Sequence, residues 1–470
     1  MIVRTRFSPS PTGNLHIGGA RTTLFSALYA AKYDGQFILR IEDTDMTRST
    51  EAFAQSQQED LHWLGVNWQE GPGVDGPYGP YWQSQRHAIY QKYYDILEKT
   101  KLVYPCFCSD QELLLTRKIQ LSRGQAPRYA GTCRKLSEDE VAARMAQGKK
   151  PAWRFIVAPG VKIEFTDAVK GQQQFLSDDI GDFIIRRADG TAPFLFCNAI
   201  DDAMMKISHV IRGEDHLANT PRQILLLQTL NLPIPHYAHL ALILGDDGTK
   251  LSKRHGSFSL KEMQQQGYLP IAIINYLTRL GHACDTQDLL PFDKLAKHFY
   301  LEKISRSAAR FDASQLMYWQ KMAVQSLDNA AFLHWLGEQM LQQVPLAQQA
   351  LFAETIRTNI EFPHDAIEWA KIFFHENVPI DEAGCEVIRS AGEQFFVEAE
   401  QAVDNYGIQL PQILNDMKTT LGVSGKKLFM PLRVALTGKI HGPELVHIAE
   451  LLGQKKMKHR LSEAFKLVKS

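Results

Sequence analysis

The first candidate for chemistry is the segment from Ser8 to Gly19, with the sequence SPSPTGNLHIGG. It follows a short alternating apolar run and precedes an amphipathic stretch, so the sequence predicts a strand, a tight loop and a helix. The free amides at a helix start, together with the helix dipole, favour bound phosphate. His16 adds a donor, and Gly18 and Gly19 let a ligand approach the backbone. A plain strand–helix turn with a solvent-facing histidine is the alternative.

Two lysines far along the chain suit the same ligand. Lys250 and Lys253 directly follow a predicted tight turn at 245–248. Two ammonium groups three residues apart can reach two phosphates of one nucleotide and offset the charge that develops as pyrophosphate leaves. An exposed basic turn is the alternative for the lysines alone. Taken together, the two segments indicate a nucleotide site.

The elements that must position these groups alternate between strand and helix. A buried strand is predicted at 36–41, ending at Glu42, with helices at 51–64 and 85–98, the second capped by Ser84. The same alternation of predicted strands and helices returns at about 199–240, after a stretch in which the sequence pattern differs. Polar residues just after parallel strands mark the ligand edge of an α/β sheet. Beyond about Arg310 the pattern is helical.

Length, charge and cysteine content narrow the class of protein. The 470 residues, 44% hydrophobic, suffice for roughly two to four domains. There is no apolar run of about eighteen residues and no disulfide framework among six cysteines, so we expect no membrane span and a cytoplasmic setting. A net charge of zero argues against non-specific nucleic-acid binding by overall charge. Residues 423–470, however, carry ten basic and three acidic side chains.

Several motifs together resemble those of a known enzyme family. Residues 11–19 (PTGNLHIGG) resemble the HIGH signature of class I aminoacyl-tRNA synthetases, and residues 250–254 (KLSKR) resemble their KMSKS signature. More narrowly, the chain resembles the bacterial glutamyl-tRNA synthetases at RFSPSPTG (6–13), RIEDTD (40–45), QSQR (83–86), VIRGEDH (210–216) and PLRVALTG (431–438). The likeness follows the family's order along the whole chain.

The resemblance implies an α/β fold with four functional parts. A split Rossmann-like catalytic domain would occupy 1–105 and 190–240, with an inserted α+β acceptor-binding domain at 106–189. A connecting stem-contact region would follow at 241–310, and an all-α anticodon-binding domain at 311–470. In the insertion, Tyr129 with Arg123, Arg128 and Arg134 would suit phosphate contact and base stacking at the acceptor end.

The implied reaction has two steps. L-glutamate attacks the α-phosphate of ATP, which carries Mg²⁺, and displaces diphosphate to give glutamyl-adenylate. The 3′ end of tRNA(Glu) then takes the glutamyl group from the adenylate, and AMP is released. By the motif match, the catalytic residues are His16, Lys250 and Lys253. The expected ATP contacts are Thr12, Gly13, His16, Gly18, Gly19, Glu214, Leu251, Ser252 and Lys253. The expected glutamate contacts are Arg6, Ser8, Ser10, Glu42, Phe194, Asn198 and Arg212.

The residue types expected in the glutamate pocket suit a carboxylate ligand, and at one place the sequence departs from the family pattern. An arginine fork holds a carboxylate with two bonds and rejects the amide of glutamine, whose N–H groups would oppose it. The family usually has Pro-Thr-Tyr where this chain has Ala192, Pro193 and Phe194. Phe194 keeps the aromatic wall and loses the hydroxyl. An ordinary ion pair at the strand ends is the alternative for Arg6 and Glu42.

A cysteine group in the insertion resembles a zinc site. Cys106, Cys108 and Cys133 match three of its ligands, but the family form ends in Cys-x-His and position 135 is Lys135. Tyr129 is the candidate fourth ligand, in an arrangement that resembles the synthetase-like paralogue that glutamylates queuosine. Structural zinc takes four ligands in a tetrahedron, and buried free thiols are the alternative.

Three rival functions remain open on the sequence. The enzyme charges tRNA(Gln) as well as, or instead of, tRNA(Glu); or it is the queuosine-modifying paralogue; or it is an inactive tRNA-binding regulatory paralogue. The long helical C-terminal part argues against the second, and the intact signatures at His16 and Lys253 argue against the third. We expect a monomer.

Overall fold

The computed structural model describes residues 2–469 apart from 46, 246, 250 and 252–258. The chain divides into two compact units, Met1–Met263 with Ile273–Ala313 and Gln264–Ala272 with Ser314–Ser470. Among the described residues, no helix is both long and apolar enough to cross a membrane.

The strands of the described chain all lie in the first unit. They are β1 (Arg4–Phe7), β2 (Gln36–Leu39), β3 (Val103–Cys106), β4 (Ala152–Phe155), β5 (Lys162–Asp167), β6 (Gly171–Leu176), β7 (Phe183–Arg186), β8 (His209–Gly213), β9 (His236–Leu240), β10 (Ile243–Leu244) and β11 (Ala309–Arg310). β1 pairs with β2 and β10 with β11, both in parallel. β8 and β9 are parallel within a sheet of order β6-β5-β9-β8, and β3-β4-β7 form an antiparallel sheet.

The helices up to residue 297 lie between these strands along the chain, singly or in groups of two or three. They are α1 (Ile17–Lys32), α2 (Glu51–Trp63), α3 (His87–Lys99), α4 (Asp110–Ser122), α5 (Glu138–Ala146), α6 (Ser177–Ile180), α7 (Phe194–Met204), α8 (Thr220–Thr229), α9 (Leu260–Gln266), α10 (Pro270–Arg279) and α11 (Phe292–Lys297). In α1 the buried residues Ile17, Ala20, Leu24 and Leu28 recur every three or four positions, so one face packs on the strands. The predicted α/β class of this part is confirmed.

Local capping chemistry sets several helix starts. Thr50 caps α2, with its hydroxyl accepting from the Phe53 amide. The expected Ser84 cap of α3 is wrong: the helix begins at His87, with Arg86 as its N-cap. Both the amide and the hydroxyl of Ser84 bind the Asp43 carboxylate instead, at 2.8 and 2.5 Å, so that side chain is no longer available for a helix start.

The carboxyl ends of the parallel strands meet at one edge. β1 lies beside β8, because the Ser208 amide donates to the Arg4 carbonyl at 2.9 Å. The segments after β1, β2, β8 and β9 therefore converge there, which is where the ligand site of a parallel α/β sheet is expected.

The segment 106–189 is joined to this edge by a shared sheet. Its hairpin of β5 and β6 continues the parallel pair, through a pairing of Asp167 with Tyr237 in β9. Helices α4 and α5, both fully described, bury no residue. The segment thus has a weakly packed outer part and a firmly attached base.

The second unit is helical, as predicted. From residue 313 the helices are α12 (Ala313–Ser326), α13 (Asn329–Leu336), α14 (Glu338–Leu341), α15 (Gln349–Ile356), α16 (Asp365–Phe374), α17 (Glu382–Ala391), α18 (Glu393–Tyr406), α19 (Leu410–Leu421), α20 (Lys426–Thr437) and α21 (Leu445–Lys469). Their apolar faces share one core around Phe332, Phe352, Phe373 and Phe396. Gly453, with a φ of 69°, interrupts α21.

The basic stretch 423–470 is only in part a solvent-facing surface. Arg460 is buried and donates to the carbonyls of Ile372 and His375, and Lys456 donates to Phe373 and Phe374. Burial lowers the pKa of Arg460 to about 10, so it stays charged at neutral pH. These two cations therefore join helices within the unit, whereas Lys426, Lys427 and Lys455 are exposed.

Candidate active site

A cavity of about 620 Å³ opens at the carboxyl ends of β1, β2, β8 and β9. Each of these strands, or the segment after it, contributes to the lining, together with the starts of α1 and α7. The structure brings together ten of the sequence-predicted residues here: Arg6, Ser8, His16, Gly18, Gly19, Glu42, Phe194, Asn198, Arg212 and Leu251.

The other predicted residues lie elsewhere or outside the described part. Ser10, Thr12 and Gly13 belong to the loop before α1 but do not line the cavity. Glu214 also stays out of the lining; it accepts from the Leu242 amide at 3.0 Å and pairs with Lys170. Lys250, Ser252 and Lys253 lie outside the described residues.

The loop before α1 is held by bonds to its backbone. The Glu42 amide donates to the Pro9 carbonyl at 2.9 Å, and the Thr50 amide donates to Pro11 at 3.0 Å. The Gln57 side chain donates to the carbonyls of Ser10 and Gly13, at 3.3 and 2.7 Å. The loop is thereby fixed to the strand end and to α2 without using the side chains that face the cavity.

The start of α1 can hold an anion. His16 is its N-cap and is exposed, and its carbonyl accepts from Ala20, so the three amides before Ala20 have no partner within the helix. A Cβ on Gly18 would meet nothing within 4 Å, whereas one on Gly19 would lie 2.7 Å from Leu15. Gly18 therefore leaves room for a ligand, whereas a side chain at Gly19 would require Leu15 to move.

Arg212, which lines the cavity, has one donor group without a partner in the described part of the chain. Its Nε donates to His239 Nε2 at 3.1 Å, and its Nη2 donates to Thr220 and Gln223, both at 2.8 Å. Its Nη1 is buried and has no hydrogen-bond partner among the described residues, and the same is true of Ser8 Oγ. Burial lowers the pKa of Arg212 to about 10, so the guanidinium remains charged at neutral pH. A carboxylate is the natural complement of this group.

A directed chain of hydrogen bonds continues from Arg212. Because Gln223 Oε1 accepts from Arg212, its Nε2 is free to donate to Asn198 Oδ1, at 3.1 Å. The Asn198 amide nitrogen then donates to Glu42 Oε1 at 2.6 Å. The orientation of each amide is thus determined by the arginine at one end and the carboxylate at the other.

Buried charges bind two of the lining residues, Arg6 and Glu42. Asp202 accepts from both Arg6, at 3.1 Å, and Arg40, at 2.8 Å, and Arg40 lies 3.3 Å from Glu42. Burial alone would raise the pKa of Asp202, but Arg6 and Arg40 outweigh it and lower the pKa overall. For Glu42, burial prevails over Arg40 and Asn198 and raises the pKa. A further cation, such as an ammonium group, would therefore stabilise the ionised carboxylate of Glu42.

Sequence reasoning missed part of this lining. Arg21, Asp215 and His216 also line the cavity. His216 packs on Phe194 with ring centroids 5.1 Å apart, and burial, helped by Arg212, lowers its pKa to about 4, so it is neutral at neutral pH. The available signals were the position of Arg21 one turn after Gly18 and the place of Asp215 and His216 within VIRGEDH.

The three cysteines of the insertion form a second cluster. Their sulfurs lie within 4.8 Å of one another, with 3.6 Å between Cys108 and Cys133. Tyr129 Oη lies 3.4 Å from the sulfurs of both Cys106 and Cys108, and the Arg154 guanidinium lies 3.6 Å from the centre of its ring. Lys135 is no part of the cluster. Tyr129 is therefore turned towards the thiols.

Comparison with known proteins agrees with the geometry of the large cavity. The family model for tRNA synthetases class I (E and Q), catalytic domain, matches residues 2–318, and the anticodon binding domain model matches residues 319–465. A glutamate–tRNA ligase 2 of Coxiella burnetii is 50% identical over 463 residues, covering 98% of this chain and all of the relative. A glutamate–tRNA ligase 1 of Halorhodospira halophila is 47% identical over 464 residues, covering 99% of this chain and 97% of the relative.

Solved structures similar to this chain belong to the same family as the sequence relatives. The crystal structure of a glutamate–tRNA ligase from Elizabethkingia meningosepticum, in complex with its amino acid, has a TM-score of 0.88 at 30% identity and covers 99% of both chains. The glutamate–tRNA synthetase of Elizabethkingia anophelis has a TM-score of 0.89 at 30% identity, covering 99% of this chain and 100% of the other. The chain belongs to the class I tRNA synthetases of the glutamate and glutamine type.

Proposed function

We propose that this protein attaches L-glutamate to the 3′ end of tRNA(Glu) by way of glutamyl-adenylate, with release of diphosphate and then AMP. The observation that carries the proposal is the cavity at the sheet edge. It combines a buried arginine with unused donors and a buried carboxylate beside an unshielded helix start. The full-length relatives named as glutamate–tRNA ligases support the choice of amino acid.

Glutamate would occupy the end of the cavity near Arg212. Its side-chain carboxylate would take the two unused Nη1 hydrogens, and Arg6 would contribute a second cation. Its ammonium group would pair with Glu42, whose raised pKa reflects an incompletely neutralised carboxylate. Ser8 Oγ and Asn198 would supply the remaining hydrogen bonds. Glutamine would place an amide N–H against a guanidinium donor, which disfavours it.

ATP would lie at the other end, against the start of α1. The amides at the start of that helix and His16 would meet its phosphates, and Gly18 would let the nucleotide approach. Mg²⁺ bound to the phosphates would neutralise part of their charge. Leu251, which lines the cavity, precedes residues 252–258, so Lys250 and Lys253 are proposed to clamp the phosphates as pyrophosphate leaves.

The direct test is charging of purified tRNA with glutamate. We expect glutamate-dependent ATP–pyrophosphate exchange in the presence of tRNA(Glu), charging of that tRNA, and loss of both in Lys253→Ala. No exchange in the parent protein would favour an inactive tRNA-binding paralogue. Strong charging of tRNA(Gln) in a parallel reaction would contradict strict specificity for tRNA(Glu). The enzyme would then be one that does not discriminate between the two tRNAs, or one that charges tRNA(Gln).

The tRNA would be held by two parts of the chain. The insertion is proposed to bind the acceptor end, because Arg117, Arg128, Tyr129 and Arg154 line a hollow of about 450 Å³ there. The helical unit is proposed to bind the anticodon, in agreement with its family match. The protein is proposed to act as a monomer, which sedimentation with and without tRNA would test.

The exposed lysines of α20 give a specific test of anticodon binding. Charge reversal of Lys426 and Lys427 together is expected to raise the KM for tRNA and leave the KM for glutamate unchanged. Lys466→Glu is the matched control, because Lys466 already pairs with Glu463 at 2.7 Å. Equal effects of both changes on the KM for tRNA would contradict the proposed surface.

A structural zinc is proposed at Cys106, Cys108, Cys133 and Tyr129. A tetrahedral zinc with Zn–S bonds of about 2.3 Å and a Zn–O bond of about 2.0 Å separates its sulfurs by about 3.8 Å, and sulfur from oxygen by about 3.5 Å. The distances of 3.6 Å and 3.4 Å in the cluster fit these values. Bound zinc would cross-link the strand end at Cys106 to the loop at Cys133.

Metal analysis of the purified protein tests the zinc proposal. We expect one zinc per chain, lost in Cys133→Ser and weakened in Tyr129→Phe. Cys385→Ser is the control, because Cys385 is a free thiol of the helical unit outside the cluster. A parent protein free of zinc after purification without chelator would overturn the proposal.

A further inference from the structure

A buried chain of hydrogen bonds reaches Arg212 from the inserted segment. Asp167 Oδ2 lies 2.6 Å from His239 Nδ1, and His239 Nε2 lies 3.1 Å from Arg212 Nε. The three residues are between 0 and 5% exposed. Arg212 lines the cavity, whereas Asp167 and His239 do not. Asp167 ends β5, and His239 lies in β9.

The partners at the two ends require one tautomer of His239. Asp167 Oδ1 is occupied by the amides of Val169, Lys170 and His239, at 3.0, 2.8 and 3.2 Å, so Oδ2 is the oxygen that faces the imidazole. An ionised carboxylate only accepts, so His239 Nδ1 carries a proton. Arg212 Nε only donates, so His239 Nε2 must offer its lone pair. Burial also keeps the ring neutral, since it lowers the pKa of His239 despite Asp167.

We propose that Asp167 and His239 are positioning residues that fix the His239 tautomer and thereby hold the Arg212 fork with Nη1 towards the cavity. Thr220 and Gln223 hold Nη2, and the bond from Nε holds the same edge of the planar guanidinium at a second atom, so the plane is fixed and Nη1 is the nitrogen left unpaired among the described residues. The ring of Tyr237 packs against both Arg212 and His239, at 5.4 and 6.1 Å. The functional consequence rests on the proposed function, in which Arg212 receives the glutamate carboxylate.

Asp167→Asn is the decisive substitution. Its amide oxygen must stay at the Oδ1 position, because three backbone N–H groups need an acceptor there. The new NH₂ group then faces His239 Nδ1 and forces the proton to Nε2, where it opposes the Arg212 Nε–H group across 3.1 Å. Thr220 Oγ1, 3.1 Å from the same nitrogen, can take this proton, but it already accepts from Arg212 Nη2. Two of the three bonds that hold Arg212 are therefore disturbed.

The experiment combines NMR with kinetics on the full chain. Imidazole ¹⁵N shifts, assigned to residue 239 by comparison with His239→Gln, report the tautomer, and the Arg212 Nε–H signal reports its hydrogen bond. We expect the Nδ1–H form and a slowly exchanging Arg212 signal in the parent. In Asp167→Asn we expect the Nε2–H form and rapid exchange. The KM for glutamate is expected to rise about 10- to 100-fold, with the KM for ATP unchanged.

Two further variants separate positioning from a structural role. His239→Gln retains an acceptor for Arg212 and is expected to raise the KM for glutamate less than His239→Leu. His209→Gln is the control: His209 is a half-buried histidine at the start of β8, bonded to Ser208 and Tyr29 and outside the cavity lining. It is expected to leave the KM for glutamate unchanged.

The outcomes distinguish the positioning proposal from the proposed function. An Nε2–H tautomer in the parent, or no change of tautomer and Arg212 exchange in Asp167→Asn, would overturn the positioning proposal. A parent that charges no tRNA with glutamate would overturn the proposed function, while the NMR signals would still decide the role of His239. Equal increases in KM for His239→Gln and His239→Leu would also count against positioning.

Discussion

The two ends of the cavity are built in different ways. The end near Arg212 is made of buried side chains that hold one another, from Arg212 through Asn198 to Glu42. The end near His16 is made of exposed backbone at a helix start, held from behind by bonds to the loop carbonyls. A buried, fully directed network suits recognition of one small molecule, whereas free amides suit phosphates, which every nucleotide carries.

The largest expected effect comes from breaking the buried charges under the amino-acid end. Asp202→Asn leaves Arg6 and Arg40 without their shared carboxylate, so the free energy of unfolding of the first unit should fall by about 3–5 kcal/mol. Urea unfolding followed by a probe in that unit measures it. Asp285→Asn, which breaks the exposed pair with Lys303, should cause no measurable change. Similar decreases in the free energy of unfolding in both variants would contradict the distinction between the buried charges and an exposed ion pair.

Substitution at the nucleotide end should affect turnover and leave stability intact. His16→Ala is expected to lower kcat for adenylate formation about 100-fold, because a donor near the developing phosphate charge is removed. The KM for glutamate should change little, since His16 lies at the other end. Pyrophosphate exchange measures both constants, with His87→Ala, an exposed histidine of α3, as the control. A rise in the KM for glutamate with unchanged kcat would show that the two ends are not separate.

Conservative substitution of Arg212 should affect binding of glutamate and leave the nucleotide end unchanged. Arg212→Lys keeps the charge but loses the planar fork, so the KM for glutamate should rise about 30-fold while the KM for ATP stays constant. Arg48→Lys is the control, because Arg48 is exposed and pairs with Asp45. A change in the KM for ATP comparable to that for glutamate would contradict the division of the cavity.

The smallest effect is a pH dependence confined to the amino-acid end. Burial raises the pKa of Glu42 above its ordinary 4.5, so Glu42 takes up a proton at a higher pH than an exposed glutamate. The substrate ammonium needs the ionised form, so the KM for glutamate should increase severalfold as pH falls towards about 5, where the substrate carboxylates are still mostly ionised. Glu42→Gln should have a higher KM that does not vary over this range. A flat profile in the parent would contradict the expectation.

The same contrast explains what the sequence could predict. The nucleotide end depends on a continuous segment, 8–19, whose type and spacing already indicate a strand, loop and helix. The amino-acid end depends on partners remote in the chain: Arg6 and Asp202 are 196 residues apart, and Asp167 and His239 are 72 apart. Motif matching named Arg6, Glu42 and Arg212, but the residues that hold them, such as Asp202 and His239, emerge only when the strands are assembled.

Local competition accounts for the remaining differences. The Ser84 cap failed because the carboxylate of Asp43, 41 residues away in the chain, binds Ser84. Arg460 counted towards a basic surface in the sequence, yet it lies in the core of the helical unit, bonded to backbone carbonyls. Neither tertiary contact leaves a signal in local composition.

The position of Asp167 bears on how freely such enzymes can be recombined. The hairpin of β5 and β6 lies within residues 106–189, the predicted insertion, yet its Asp167 is bonded to His239 of β9. On the proposed roles of Arg212 and Asp167, an insertion exchanged as a cassette between two related proteins would carry part of the amino-acid specificity with it. A chimera should keep the resident Asp167–Lys170 turn and place its junctions beyond it.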